Sequence, residues 1–148
     1  MENQTRARPL ELLIAEDNPN DVILLREALK QAKVVSRLHV ATDGVEAIEF
    51  LRRQGSHGAA PRPDLILLDL NMPRKNGQEV LVEIKGDAEL KTIPIIVLTT
   101  SRSDSDVLAA YGHHANCYIT KPISFDAFAE VVRSIQKFWF TSVTLPPP

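Results

Sequence analysis

The sequence predicts an α/β fold: one parallel sheet covered by helices on both faces. Three observations predict it. Five short apolar runs recur along the 148 residues, and each precedes a stretch with helical spacing. The runs are apolar at almost every position rather than at alternate ones, the pattern of strands buried on both sides. Four of them stop at polar or charged residues that no core would hold, as in the segment Pro63-Asp64-Leu65-Ile66-Leu67-Leu68-Asp69-Leu70-Asn71-Met72-Pro73. Those stops belong at the carboxyl edge of an open sheet, where such folds keep their ligands.

Taken in order, Leu10-Glu11-Leu12-Leu13-Ile14-Ala15 is the first strand. Asn18-Pro19 supplies a helix cap and a first-turn proline. Val22, Leu25, Ala28 and Leu29 form the apolar stripe of that helix. Leu38-His39-Val40-Ala41 is the second strand. Asp43-Gly44-Val45-Glu46 reads as a capping box for a helix carrying Val45, Ile48 and Leu51. Residues 54–63, rich in glycine and proline, are a loop. The third strand runs from Leu65 to Asp69, and a helix from Gln78 to Lys85 follows with Val80, Leu81 and Ile84 as its apolar set. Ile95 to Leu98 is the fourth strand, with a helix from Asp104 to Gly112. Cys117 to Thr120 is the fifth. Ser124 caps a last helix through Ala127, Val131 and Ile135 to about Phe140, and Pro146-Pro147-Pro148 is irregular. The expected organisation is a tail over residues 1–8, one domain over 9–140 and an extension over 141–148.

Composition narrows the function. A net charge of −2 argues against a general nucleic-acid binder. Cys117 is the single cysteine, so an internal disulfide and a cysteine metal cluster are both excluded, and a cytoplasmic setting is expected. No apolar run reaches membrane-spanning length, and Met1 to Arg8 has no apolar signal core.

The strand ends carry the chemistry. Strand one ends on Glu16-Asp17, strand three on Asp69, strand four on Thr99-Thr100-Ser101 and strand five on Thr120-Lys121-Pro122. The fold brings these ends together. Three carboxylates in one place repel and raise one another's pKa values, a conflict that a bound cation relieves. All-oxygen ligands suit Mg²⁺ better than zinc. A carboxylate beside Mg²⁺ can act as a nucleophile toward phosphorus, and a lysine and a threonine can hold the other phosphoryl oxygens.

Four segments at this edge, AEDNPND (15–21), DLILLDLNMP (64–73), IPIIVLTTS (93–101) and CYITKP (117–122), resemble the receiver domains of two-component response regulators. The resemblance spans about residues 9–140. It implies the flavodoxin-like strand order 2-1-3-4-5, with Asp69 as phosphoacceptor and Glu16 and Asp17 as the acidic pair around Mg²⁺. It further implies Asn71 as a ligand through its backbone carbonyl, Thr99 as the switch hydroxyl, Lys121 as the phosphate-binding lysine and Tyr118 as the switch aromatic. A cis bond between Lys121 and Pro122 is part of the same expectation. EDNPNDV, HANCYITKP and the ending FWFTSVTLPPP are similar to the small regulators of cyanobacterial phytochromes. The implied partner is a sensor histidine kinase, with a phytochrome as its sensor. The implied protein is not an enzyme in its own right, although it takes part in Mg²⁺-dependent phosphotransfer and loses the phosphate itself. With no effector domain following, output passes through protein contacts. His114 departs from the family, since many receivers have glycine there.

Other readings compete. Glu16-Asp17 alone would serve as helix-capping acids, but Asn18 already fits the cap. Adjacent His113 and His114 diverge in direction and read as solvated rather than metal-binding. A phosphorylation-independent adaptor on the same fold is the alternative function, and the complete set of acids, threonine and lysine argues against it. An aspartate-nucleophile phosphatase wants a second acid where Asn71 stands. A flavin phosphate would meet acids in the first loop. Finally, Phe138-Trp139-Phe140 cannot all face one way on a helix. An outward ring there is expected to drive a homodimer unless Val143 and Leu145 cover it.

Overall fold

The computed structural model describes residues 8–31 and 35–148; of the N-terminal tail expected over 1–8, residues 1–7 lie outside that range. Five strands, β1 (Leu10–Ala15), β2 (Ser36–Ala41), β3 (Leu65–Leu68), β4 (Ile95–Thr99) and β5 (Cys117–Thr120), form one sheet in the order β2-β1-β3-β4-β5, with every neighbouring pair parallel. Five helices alternate with them: α1 (Pro19–Lys30), α2 (Gly44–Arg52), α3 (Gly77–Lys85), α4 (Asp104–Gly112) and α5 (Phe125–Ile135). The order reverses between β1 and β3, so the crevice for a ligand opens at their carboxyl ends. The expected fold class and strand order are therefore what is found.

The continuous apolar runs divide between two cores by simple alternation. Leu13, Ala15, Ile66, Leu68, Ile95 and Val97 face α2, α3 and α4, where Ile48, Val80, Leu81, Ile84 and Ala110 meet them. Leu12, Ile14, Leu65, Leu67, Ile96 and Leu98 face α1 and α5, against Leu25, Phe128, Val132 and Ile135. Glu11 shares the first face yet is buried at the amino edge of β1, where His39 Nε2 lies 2.8 Å from it and Arg37 3.5 Å.

The helix starts follow from their caps. The Asn18 side chain accepts from the N–H of Asn20 and Asp21, with Pro19 in the first turn. Asp43 accepts from the Glu46 N–H at 2.8 Å, but the expected reciprocal bond is displaced. Glu46 reaches one residue further back, to the N–H of Thr42 at 2.8 Å. The complete capping box lies instead at Asn76 and Glu79, which starts α3 one residue earlier than the apolar stripe alone suggested.

Gly77 has a second task. A Cβ there would sit 2.3 Å from the backbone oxygen of Asp69, so only glycine lets α3 begin against that loop. His114 adopts φ 70°, the left-handed conformation usual for glycine. The chain keeps the backbone of a glycine at that position with another residue in it. Left-handed backbone costs an L-residue about 1–2 kcal/mol. His114→Gly is expected to gain about 1 kcal/mol and raise the melting temperature by roughly 2–4 °C, read by thermal unfolding.

α5 does not end as an ordinary helix. A π-helical turn, Gln136–Ser142, continues it, with the Val143 N–H donating to the Phe138 carbonyl at 2.9 Å. The wider turn carries Phe140 into the core and packs Trp139 and Leu145 against it, leaving Phe138 54% exposed. Phe138 is thus the outward ring of the triplet. Among the described residues no helix is long and apolar enough to cross a membrane.

Candidate functional site

The carboxyl ends of β1, β3 and β5 converge on one buried cluster. Glu16 follows β1 and is 2% exposed; its backbone N–H donates to the Ala41 carbonyl of β2. Asp69 lies one residue beyond the end of β3 rather than within the strand, yet remains pinned, because its N–H donates to the Ala15 carbonyl at 3.0 Å. Lys121 follows β5, its N–H donating to the Thr99 carbonyl at 2.7 Å. From these positions its ammonium reaches Glu16 Oε1 at 2.5 Å, Asp21 Oδ2 at 2.8 Å and Asp69 Oδ2 at 3.2 Å.

The Lys121-Pro122 bond is trans, since no cis peptide bond occurs among the described residues, and this corrects the expected cis bond. The lysine needs none: its backbone bond to β4 and the reach of its own side chain bring the ammonium to all three acids.

Glu16, Asp17 and Asp69 place carboxylate oxygens within 4.8 Å of one another. This is an all-oxygen set of the kind hard divalent cations take. Asp17 is exposed, so the group opens to solvent on one side. Burial, foremost, pushes the Glu16 carboxyl up to about 7; the charge of Asp69 adds to this, and the bond from Lys121 opposes it. For Lys121 burial alone would lower the ammonium pKa, but hydrogen bonds from it to Asp21 and Glu16 hold it above its ordinary value. One fixed cation among four carboxylates leaves negative charge to neutralise.

Thr99 ends β4 fully buried and accepts from the Ser101 N–H at 3.4 Å. Tyr118, half-buried on β5, donates its hydroxyl to the Ser101 carbonyl at 2.9 Å. Asn71 is exposed just past Asp69, and its N–H donates to Asp69 Oδ1 at 3.2 Å. The structure therefore brings together Glu16, Asp17, Asp69 and Lys121, with Thr99 and Tyr118 linked through Ser101. It adds one residue that the sequence reading passed over, Asp21. Its signal was its place in the first turn of α1, one turn past Asp17.

Comparisons with known proteins give concordant findings. The family model described as "Response regulator receiver domain" matches residues 12–133. Response regulator Rcp1 of Synechocystis sp. is 46% identical over 138 residues, covering 93% of this chain and 94% of that protein. Among solved structures, the Mn²⁺-bound form of Rcp1 aligns with a TM-score of 0.91 at 45% identity, over 94% of this chain and all of that one. The phosphorylated cyanobacterial phytochrome response regulator RcpA aligns with a TM-score of 0.92 at 44% identity, over 95% of this chain and all of that one.

Proposed function

Because this chain belongs to the response regulator receiver family and is related to phytochrome response regulators, we propose that it takes a phosphoryl group on Asp69 from a sensor histidine kinase, with a phytochrome as its sensor. The observation that carries the reading is the buried Asp69 carboxylate, 3.2 Å from the Lys121 ammonium and grouped with Glu16 and Asp17.

An Asp69 carboxylate oxygen attacks phosphorus in the kinase's phosphohistidine. The P–N bond breaks, its electron pair stays with the imidazole, and an acyl phosphate forms on Asp69. Lys121 neutralises charge on the phosphoryl oxygens, and the Thr99 hydroxyl can donate to one of them. Water attack at phosphorus later releases phosphate and restores the carboxylate. Glu16, Asp17, Asp69 and the Asn71 carbonyl would hold Mg²⁺, whose chemistry when bound is to offset charge on the transferring group. Output then depends on the surface around Tyr118, whose hydroxyl shares Ser101 with Thr99.

Incubation with a small-molecule phosphodonor and Mg²⁺ is expected to add one phosphoryl mass to the intact chain, with Asp69 as the labelled residue. Asp17→Ala is expected to lose at least about tenfold in Mg²⁺ affinity, as removal of a charged ligand implies, and to lose the label with it. Label on any other residue, or unchanged Mg²⁺ affinity in that variant, contradicts the assignment.

The same reading includes a homodimer. Of the triplet Phe138, Trp139 and Phe140, the exposed ring is Phe138, and Trp139 meets it edge-on with centroids 5.5 Å apart. A two-fold interface would use that ring twice. Phe138→Ser is expected to weaken self-association at least about tenfold, the scale of an aromatic anchor, while leaving the fold intact. Sedimentation at micromolar protein reads both forms, and a monomeric parent overturns the idea.

A further inference from the structure

We propose that Gln78 is a positioning residue. It ties the first turn of α4 to the fixed helix α3, and so resists the movement of Ser101 that phosphorylation of Asp69 requires; the proposal rests on the phosphoacceptor reading above. The chain of contacts is continuous. Gln78 Nε2 donates to the Asp106 carbonyl at 3.1 Å, and Ser101 Oγ donates to the Asp106 carboxylate at 2.5 Å. Ser101 is also the residue that Thr99 and Tyr118 share, through its N–H at 3.4 Å and its carbonyl at 2.9 Å. When Thr99 turns toward a phosphoryl group on Asp69, Ser101 either follows it or loses that bond. If Ser101 follows, it draws on Asp106, and Asp106 is held back by Gln78.

The anchor at the other end does not yield. Val80, Leu81 and Ile84 of α3 are each 0% exposed. The tie itself is poorly balanced. Gln78 Oε1 is buried and has no hydrogen-bond partner among the described residues. A buried carbonyl without a donor is unfavourable, so the tied arrangement is only weakly preferred. A recess of about 360 Å³, bounded by Leu70, Asn71, Met72, Asn76, Gln78 and Asp106, lies between the tie and the loop after Asp69. It leaves the amide room to turn when the tie opens. A weak tie between a fixed helix and a movable loop sets how readily phosphorylation shifts that loop.

The test is titration of the full-length chain with beryllofluoride, a phosphoryl analogue, at saturating Mg²⁺, read at the backbone amide resonance of residue 101. Gln78→Met keeps the length of the side chain and removes both the tie and the unpaired oxygen. It is expected to lower the half-saturating analogue concentration roughly three- to tenfold, the scale of one hydrogen bond, with Mg²⁺ affinity unchanged. Gln78→Glu replaces the donor with an acceptor facing the Asp106 carbonyl and is expected to act in the same direction. In a Ser101→Ala background the gain should vanish, because the path to Thr99 is cut. Unchanged analogue binding, a gain that persists in full without the Ser101 hydroxyl, or an equal change in Mg²⁺ affinity overturns the tie. Analogue binding that survives intact in Asp69→Asn overturns the phosphoacceptor reading, and the tie with it.

Discussion

Asp69→Asn is expected to take up no phosphoryl group while folding as well as the parent. The amide has the shape of the carboxylate but lacks the nucleophilic charge, so labelling should fall by more than about a thousandfold, the scale on which a missing nucleophile is felt. One of two local bonds survives the change: the Asn71 N–H and Lys121 use different oxygens of Asp69, and the single amide oxygen can accept from only one of them. Lys121 keeps Glu16 and Asp21. The cluster also sheds one of its negative charges, and with it the influence of Asp69 that helps raise the Glu16 pKa. Stability near pH 7 should therefore stay within about 1 kcal/mol of the parent. Intact-mass spectrometry after phosphodonor treatment, with urea unfolding beside it, reads both halves. Full labelling of this variant would remove Asp69 from the mechanism.

Lys121→Met has the largest expected effect on stability. The lysine is 6% exposed and holds three carboxylates. Removing one partner of a buried ion pair costs about 3–5 kcal/mol, because the charges left behind are uncompensated. The pH dependence fixes the sign. The Lys121 ammonium has its pKa raised in the fold, so its contribution is fully present below its ordinary value of 10.5 and persists across the neutral range. The Glu16 carboxyl is raised from 4.5 to about 7. Its folded form binds more protons than its unfolded form, so the parent's stability declines as pH rises through that window. Without Lys121 the decline should steepen and extend to higher pH. Urea unfolding at pH 5.5 and pH 8 is expected to show the larger deficit at pH 8, and millimolar Mg²⁺ should recover part of it by supplying the missing positive charge. Equal deficits at the two pH values would contradict this account of the cluster.

Most of the fold is legible in the sequence because β1, β3 and β4 are buried at every position, which leaves little ambiguity about the centre of the sheet. The extents of β1, α4 and β5 coincide with their apolar runs and caps. What was misplaced depends on side-chain choices that several arrangements satisfy equally. Glu46 could close a box with Asp43 or reach Thr42, and only the loop geometry decides. The turn after Ile135 was hidden because ordinary helical spacing was assumed, and a π-helical turn places Trp139 and Phe140 differently. In the site, Glu16, Asp17, Asp69 and Lys121 were readable from strand ends. Asp21 was not, because an acid in the first turn of a helix already has an ordinary reason to be there in the helix dipole. Gln78 had no signal of its own either, since its partner is a backbone carbonyl on another helix.

The three bonds of Lys121 join positions 52, 100 and 105 residues apart along the chain. During synthesis the acids of β1 and β3 emerge long before the lysine that reconciles them. Until β5 docks, a nascent sheet must bring Glu16 and Asp69 together with no cation of its own to stand between them. The cluster therefore disfavours a partly assembled sheet and favours only the finished one, which makes the last strand's arrival cooperative with the first strand's placement. Loops of this span are slow to close, and the same delay means that a chain cut short before Lys121 holds the acids but not the means to use them.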